Sequence, residues 1–142
     1  MKNIISILTL LFVFTIAQST FAQNLDNIDT NKKNYVVLTK KVAQLKPISL
    51  ASEEMQIEDG KEYGEFHVVF CGKDIPQLTD KELMAPYLEM LDKKGIKLIA
   101  CGFSLKKFGV NAKDLPEYIE IVDNGIAYSL KLKKKGFYGI EL

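Results

Sequence analysis

Apolar residues recur along this chain in two alternating patterns. Short apolar runs bounded by polar residues or glycine are typical of buried strands, and they occupy residues 35–38, 66–71, 96–101 and 119–122. Between them lie longer segments whose apolar residues are spaced three and four apart, as on one face of a helix. Strands and helices in this order imply right-handed crossovers, so the pattern predicts an α/β fold with a mainly parallel sheet covered by helices.

Two helices are predicted between the first three strands. The first lies within about 41–58, and Pro47 places its start close to that proline, where the missing N–H costs nothing. The second opens with a capping box formed by Thr79 and Glu82, ends at a Lys-Lys-Gly sequence, and carries Pro86, which predicts a kink.

The segment after residue 122 is compatible with two structures. Asp-Asn-Gly at 123–125 fits a tight hairpin turn, because apolar and polar residues alternate from 128 to 133 as in a half-buried strand. Alternatively, Asn124 caps a helix that ends at Gly136. Periodicity slightly favours the hairpin, and residues 137–142 are predicted as a final strand in either case.

The first residues have the pattern of a secretory signal peptide. Lys2 precedes largely apolar residues 4–16, and the small residue Ala22 fits a cleavage site. The apolar run is too short for a membrane span, which needs roughly 20 residues. We expect a signal peptide over 1–22, cleaved after Ala22, and therefore an exported protein, periplasmic or secreted, with no membrane span after cleavage.

Removing the signal leaves 142 − 22 = 120 residues, enough for one domain with its own core. Residues 23–34 are mostly polar and are predicted to form a flexible leader, which makes 35–142 the domain. The signal contains one lysine and no acid, so 18 basic residues balance 18 acidic ones in the remainder. This neutral balance argues against nucleic acid as a partner.

The residue types present exclude several kinds of site. All 19 basic residues are lysine, so no guanidinium is available to clamp an anion in a bidentate manner. No phosphate loop, dinucleotide fingerprint, zinc-protease helix or nucleophile elbow occurs. His67, the only histidine, alternates with apolar neighbours in a strand and is predicted to be structural. We expect no cofactor and no metal, and whether the protein is an enzyme stays undetermined.

Two cysteines stand in the same local pattern. Cys71 and Cys101 each follow an apolar run and each precede a glycine, so both are predicted at the carboxyl ends of strands. Parallel strands end at one edge of the sheet, where open α/β sheets place ligands and reactive groups. Since cysteine is often an inert buried residue, a packed and unreactive thiol is the alternative at both positions.

Cys101 is the stronger candidate, because a short amphipathic stretch over 103–108 follows it. The start of a helix offers unpaired N–H groups and the positive end of the helix dipole, which favour a thiolate. Cys71 is kept as a second candidate thiol. A disulfide between the two is disfavoured, since the first strand of a doubly wound sheet often lies between the next two and would hold the cysteines roughly 10 Å apart.

The C-terminal half resembles one known family. The residues that carry the resemblance are the strand-end cysteine, the glycine and the Leu-Lys-Lys stretch within 96–110, Asp-Asn-Gly within 118–127, and Lys-Gly-Phe-Tyr at 135–138. In this order they resemble the DsrE-like (DsrE, DsrF, TusD and YchN-type) sulfur-relay proteins. The resemblance extends over roughly 35–142, and in the N-terminal half it rests only on the order of strands and helices.

The resemblance implies a three-layer α/β/α fold with a mainly parallel five-stranded sheet, assembled into trimers or hexamers. It also implies a helix at 125–135 capped by Asn124, in place of the hairpin. Cys101 would then accept sulfur as a persulfide, with the N–H groups of Gly102 and Phe103 stabilising its anion. Cys71 has no counterpart in the family motif.

These observations give one leading hypothesis and two rivals. The leading hypothesis is an exported, DsrE-like, thiol-based sulfur carrier that exchanges sulfur with a donor or acceptor protein. The first rival is a non-catalytic oligomeric binding or assembly module in which Cys101 is buried and inert. The second rival is a redox pair formed by Cys71 and Cys101.

Overall fold

Five parallel strands form the central sheet of the computed structural model, which describes residues 25–142. The strands are β1 (Lys33–Thr39), β2 (Tyr63–Phe70), β3 (Ile96–Cys101), β4 (Glu120–Val122) and β5 (Tyr138–Glu141), and their order across the sheet is β4-β3-β2-β1-β5. Every neighbouring pair is parallel. The predicted sheet of five strands is therefore confirmed, and its strand order follows the chain from β1 to β4.

Four α-helices connect or follow these strands. They are α1 (Leu45–Asp59), α2 (Lys81–Lys93), α3 (Gly102–Lys107) and α4 (Gly125–Lys134). Short 3-10 turns occupy Leu25–Asn27, Val42–Gln44, Gly60–Glu62, Ile75–Thr79 and Ala112–Asp114. The helix at 125–134 confirms the expectation that followed from the family resemblance, and the hairpin that periodicity favoured is wrong.

The direction of the crossovers decides which face each helix covers. From β1 to β4 each connection moves one strand in the same direction, so right-handed crossovers place α1 and α2 on one face. The connection from β4 to β5 runs back across the sheet and places α4 on the opposite face, against β1, β2, β3 and β5. The result is the three-layer α/β/α architecture.

Of the first two helix starts, one agrees with the sequence expectation and one differs by a residue. α1 begins at Leu45, with Pro47 in its first turn, as predicted. α2 is capped by Asp80, whose carboxylate accepts the Leu83 N–H at 3.0 Å, so the capping box at Thr79 is wrong by one residue. The Thr79 hydroxyl instead donates to the carbonyl oxygen of Pro76 at 2.9 Å, within the preceding 3-10 turn.

The N-terminal boundary of the domain lies earlier than predicted. β1 begins at Lys33, and Asn34 is buried, with its side-chain oxygen accepting the Glu65 N–H at 2.7 Å. Leu25 and Ile28 also pack against the core. The part of the predicted leader that the structure describes is thus joined to the domain by apolar contacts and hydrogen bonds. The predicted signal peptide over 1–22 lies outside the described residues.

The core is concentrated around the two central strands. The apolar side chains of β2 and β3 from Phe66 and Ile96 onward are almost wholly buried. Within residues 25–142, no helix combines the length and the apolar character that crossing a membrane requires.

Candidate functional site

The carboxyl ends of β2 and β3 bring the two cysteines side by side. These strands are direct neighbours, and their register pairs Phe70 with Ala100, so the next residues, Cys71 and Cys101, lie next to one another. The argument against a disulfide assumed that β1 separates the two strands and is wrong on that point. β1 lies on the other side of β2, because the chain adds strands in one direction from β1 to β4. Both cysteines are free thiols.

A third strand end completes the site. Cys101 pairs in register with Val122, the last residue of β4, and α4 begins three residues later at Gly125. The chain leaves β3 and β4 toward helices on different faces, which makes this the crevice where open α/β sheets hold ligands. Three strand ends therefore converge on the two thiols.

The Cys101 sulfur receives its principal hydrogen bond from the start of α4. The Gly125 N–H donates to Cys101 Sγ at 3.2 Å. Asn124 caps the same helix, since its side-chain oxygen accepts the N–H groups of Ile126 and Ala127 at 3.0 and 3.1 Å. The cap leaves the first N–H of α4 free to point at the sulfur, where the helix dipole also favours negative charge.

Ser104 links the two cysteine-bearing loops. Its hydroxyl oxygen accepts the N–H of Gly72 at 3.0 Å, while the hydroxyl and amide of Ser104 also favour the thiolate of Cys101. The Ser104 side chain is buried. The Ser104 side chain thus accepts a hydrogen bond from the turn after β2 and helps to stabilise a thiolate at the end of β3.

The N–H groups expected to support Cys101 were only partly identified from sequence. The Phe103 N–H donates to the carbonyl oxygen of Asp123 at 2.8 Å, so the expectation that it serves the sulfur is wrong. It is engaged because the first turn of α3 pairs with the chain leaving β4. Gly102 contributes space: a Cβ there would lie 2.8 Å from the Val122 carbonyl oxygen. The groups directed at the sulfur come from Gly125, Ser104 and Cys71.

The two thiols differ in their tendency to ionise. Burial raises the pKa of Cys101, but the hydrogen bonds from Gly125, Ser104 and Cys71 outweigh it, so the pKa lies below the usual value for cysteine. Burial raises the pKa of Cys71 to about 12, and the charge of Cys101 and the hydrogen bond to it add to this increase. Cys101 is therefore the thiol of the pair that ionises more readily, and Cys71 donates its proton toward it.

A cavity of about 450 Å³ opens onto both sulfurs. Its apolar lining comes from Leu38, Phe103, Phe108 and Ile126, and its charged lining from Lys40, Lys107 and Glu141. Lys40 is paired with Glu141 at 2.8 Å, and the Lys107 ammonium lies 5.7 Å from the centre of the Phe108 ring. Although both cysteines are buried, both contribute to the lining of this cavity.

Comparison with known proteins supports the fold and no function. No family model and no curated protein matches the chain. A solved structure described as a protein of unknown function, MTH1491 from Methanobacterium thermoautotrophicum, matches with a TM-score of 0.62 and 15% sequence identity, covering 78% of this chain and 99% of that one. At this identity the likeness shows a shared fold alone, and the DsrE-like resemblance stays a prediction.

His67 lies in a second polar cluster, away from the cysteines. Its Nε2 lies 2.6 Å from a Glu65 carboxylate oxygen, its Nδ1 lies 2.8 Å from the Tyr128 hydroxyl, and Lys97 binds the same Glu65 oxygen at 2.8 Å. Burial lowers the pKa of His67, which favours a neutral ring that donates to Glu65 and accepts from Tyr128. This satisfied network borders a cavity of about 230 Å³ and agrees with the structural role predicted for His67.

The residues that sequence reasoning missed are Gly125 and Ser104. A Cβ at Gly125 would lie 2.7 Å from Cys71 Sγ and 3.0 Å from Cys101 Cβ, so only glycine lets α4 approach the pair this closely. The Asp-Asn-Gly helix start was visible in the sequence, but its position beside Cys101 depends on the pairing of β3 with β4. Among residues 25–142, no group of three or more His, Cys, Asp or Glu side chains could hold a metal ion.

Proposed function

We propose that this protein is a thiol-based sulfur carrier in which Cys101 accepts a sulfane sulfur as a persulfide. The observation that carries the proposal is the hydrogen bond from the first N–H of α4 to Cys101 Sγ, at 3.2 Å, inside a cavity that a small reactant can enter. A thiolate is the nucleophilic form of cysteine, and N–H groups at a helix start stabilise it.

The transfer needs no oxidant. The Cys101 thiolate attacks the sulfane sulfur of a persulfide or polysulfide donor and forms a new S–S bond. The S–S bond within the donor breaks, its electron pair leaves with the donor's thiolate, and that thiolate takes up a proton from water. Delivery to an acceptor thiol repeats the same exchange in the opposite sense, so Cys101 returns to its starting state.

The cavity suits such a donor. Its apolar wall, formed by Phe103, Phe108 and Ile126, is partly exposed and lies beside the two cysteines, where it can contact the uncharged sulfur atoms of a polysulfide chain. The Lys107 ammonium on the same lining favours the anionic forms that polysulfides and persulfides adopt.

The family, the assembly and the location of the protein are part of the proposal, and all three are inferred from the sequence. The resemblance of 96–110, 118–127 and 135–138 supports DsrE-like membership and, with it, assembly into trimers or hexamers. The signal pattern over 1–22 supports export to the periplasm or the exterior. A donor or acceptor protein follows from the role of a carrier.

Intact-mass measurement after brief exposure to sodium polysulfide tests the carrier function. The wild type and Cys71→Ser, trapped by alkylation immediately after mixing, should each gain one sulfur atom, and Cys101→Ser should gain none. Cys101→Ser retains Cys71 and is the matched control for unspecific addition. No gain on wild type and Cys71→Ser alike, or an equal gain on Cys101→Ser, would contradict the proposal.

A dithiol redox pair is the second candidate, favoured by the adjacent positions of Cys71 and Cys101. In this function the Cys101 thiolate attacks a disulfide of a partner, and Cys71 displaces the partner's thiol to leave an internal disulfide. Exposure to oxidised glutathione should then remove two hydrogens from the chain. A carrier without this activity does not form the internal disulfide under the same treatment.

The accessibility of Cys101 to an alkylating reagent distinguishes the inert binding module from the sulfur carrier and from the redox pair. The burial of Cys101, only 3% exposed, is the observation in its favour. If the cavity admits reactants, iodoacetamide should alkylate Cys101 in the native protein faster than Cys71. Alkylation of Cys101 only after unfolding would support the inert module.

A further inference from the structure

We propose that Cys71 resolves the persulfide on Cys101: the Cys71 sulfur attacks Cys101 Sγ, a disulfide closes between the two, and the bound sulfur leaves as hydrosulfide. This inference rests on the proposed function, since it begins from sulfur accepted at Cys101. It gives the site a second outcome, in which sulfane sulfur is reduced and released instead of being handed to an acceptor.

The position of the two cysteines allows the bond. Cys71 follows β2 and Cys101 ends β3, at neighbouring register positions, and adjacent strands are about 4.8 Å apart. Disulfides join Cα atoms that are roughly 4.4–6.8 Å apart. The Cys71 N–H still donates to the Thr39 carbonyl oxygen at 3.0 Å, so Cys71 keeps its place in the sheet beside Cys101.

The start of α4 lies this close to both cysteines only because residue 125 is glycine. Gly125 lies against both cysteines, and the Cβ of any other residue there would lie 2.7 Å from Cys71 Sγ. The turn after Cys71 begins with Gly72 at φ +96°, a conformation that favours glycine. Both sulfurs also line the cavity of about 450 Å³, which gives a released hydrosulfide a way out.

The proton needed for the step starts beside the reacting sulfurs. The Cys71 thiol donates toward the Cys101 sulfur. When the Cys71 sulfur bonds to Cys101 Sγ, the S–S bond of the persulfide breaks and its electron pair leaves with the terminal sulfur. That sulfur takes up the Cys71 proton and departs as HS⁻. The Cys71 sulfur is oxidised and the terminal sulfur is reduced by the same amount, so no external oxidant is required.

Formation of the persulfide changes the surroundings of Cys71. The negative charge on Cys101 and the hydrogen bond to it both raise the pKa of Cys71. In the persulfide the charge lies on the terminal sulfur, one bond beyond Cys101 Sγ, and Cys101 no longer accepts that hydrogen bond as a thiolate, so this part of the increase is weakened when there is sulfur to release. Of the charged neighbours, Glu141 raises and Lys40 lowers the pKa of Cys71, so their effects oppose each other.

The test follows the bound sulfur over time in the wild type and in variants of the two cysteines. Wild type, Cys71→Ser and Cys101→Ser are loaded briefly with sodium polysulfide and passed through a desalting column. Intact mass under non-reducing conditions and sulfide trapped with monobromobimane are then measured over time. Cys71→Ala is carried in parallel, and circular dichroism establishes that each variant is folded.

Wild type should lose its added sulfur, release one sulfide per chain and end two hydrogens lighter, with residues 71 and 101 joined in a peptide map. Cys71→Ser and Cys71→Ala should keep the persulfide about tenfold longer or more, since they lack an attacking group held in place. Equal persulfide lifetimes in all three forms that retain Cys101 would overturn the resolving step and leave the carrier intact. Transfer of the sulfur to Cys71 without release of sulfide would also overturn it. Absence of any added sulfur at the first time point would instead count against the carrier function.

Discussion

The strand ends that carry Cys71 and Cys101 are nearly alike in sequence and opposite in chemistry. Each consists of an apolar run, a cysteine and a glycine, and the two cysteines are 7% and 3% exposed. Burial raises the pKa of both. Only at Cys101 do hydrogen bonds reverse its effect, while the pKa of Cys71 rises to about 12.

The difference originates outside both strand ends. After Cys71 the chain enters a turn at Gly72, whereas after Cys101 it begins α3, and α4 directs its first N–H at the sulfur. Gly125 is 24 residues away from Cys101 along the chain. Which of two similar thiols ionises is therefore decided by tertiary neighbours, and changes at those neighbours should remove the difference.

The largest effect is expected for Gly125→Ala. The new Cβ would lie within 3.0 Å of atoms of Cys71, Val69 and Cys101, so the start of α4 must move away. We expect a loss of about 3 kcal/mol in the free energy of unfolding, at the upper end for overpacking. The pKa of Cys101 should rise as the N–H withdraws. Denaturant unfolding and the pH dependence of alkylation at Cys101 measure the two effects.

Gly64→Ala is the matched control for this change. Its Cβ would also meet close contacts, 2.2 Å from the Asn34 side-chain oxygen and 2.7 Å from Lys32 Cβ, but at the opposite end of β2. It should destabilise the protein without moving the titration of Cys101. If both variants shift the titration of Cys101 equally, general destabilisation of the fold, and not the position of α4, determines the pKa of Cys101.

Features that depend on local sequence could be predicted, whereas features that depend on contacts between distant parts of the chain could not. The apolar runs predicted the strands, and parallel strands end at one edge, so Cys71 and Cys101 were correctly placed at strand ends. Strand order is set by packing among all five strands, and the expectation that β1 lies between β2 and β3 failed for that reason.

The N–H groups that donate to Cys101 were difficult to predict for a similar reason. A helix start after Cys101 predicted N–H donors in general terms, but the rotation of the first turn decides which amide faces the sulfur. The Phe103 amide pairs with Asp123, and the Gly125 amide takes the position at Cys101. Local sequence therefore located the site, while the donors depended on how β4 and α4 pack beside it.

An intermediate effect is expected in the pH dependence of stability. The pKa of Cys71 is about 9.0 in the unfolded chain, and burial raises it to about 12 in the folded protein. Below pH 9 both the folded and the unfolded state keep the Cys71 proton, so its contribution to stability is fully present. Between pH 9 and 12 the unfolded state releases its proton first, so the free energy of unfolding falls as pH rises, by at most about 1.4 kcal/mol per pH unit.

Cys71→Ser removes this contribution and supplies the comparison. The tyrosines and lysines are common to both proteins, so the difference between wild type and variant reports the ionisation of Cys71 together with the loss of its hydrogen bond to Cys101. We expect that difference to reach about 2 kcal/mol by pH 11, measured by urea unfolding under reducing conditions. Parallel stability curves above pH 9 would show that Cys71 ionises normally and that the contrast between the two thiols is absent.

The smallest effect is expected for Asn124→Ala, which removes the cap of α4 without adding an atom near the sulfurs. Loss of the hydrogen bonds to the N–H groups of Ile126 and Ala127 should cost about 1 kcal/mol. The frayed helix start should hold its first N–H on Cys101 less firmly and raise the pKa of that thiol.

Asn111→Ala makes a similar change elsewhere, because Asn111 caps the 3-10 turn Ala112–Asp114 by accepting the Lys113 N–H at 3.1 Å. It should lower stability by no more than Asn124→Ala and leave alkylation of Cys101 as a function of pH unchanged. If Asn124→Ala costs stability but alkylation of Cys101 keeps its wild-type pH profile, then the dipole of α4 contributes nothing. The contrast between the two thiols would then depend on Ser104 and on Cys71 itself.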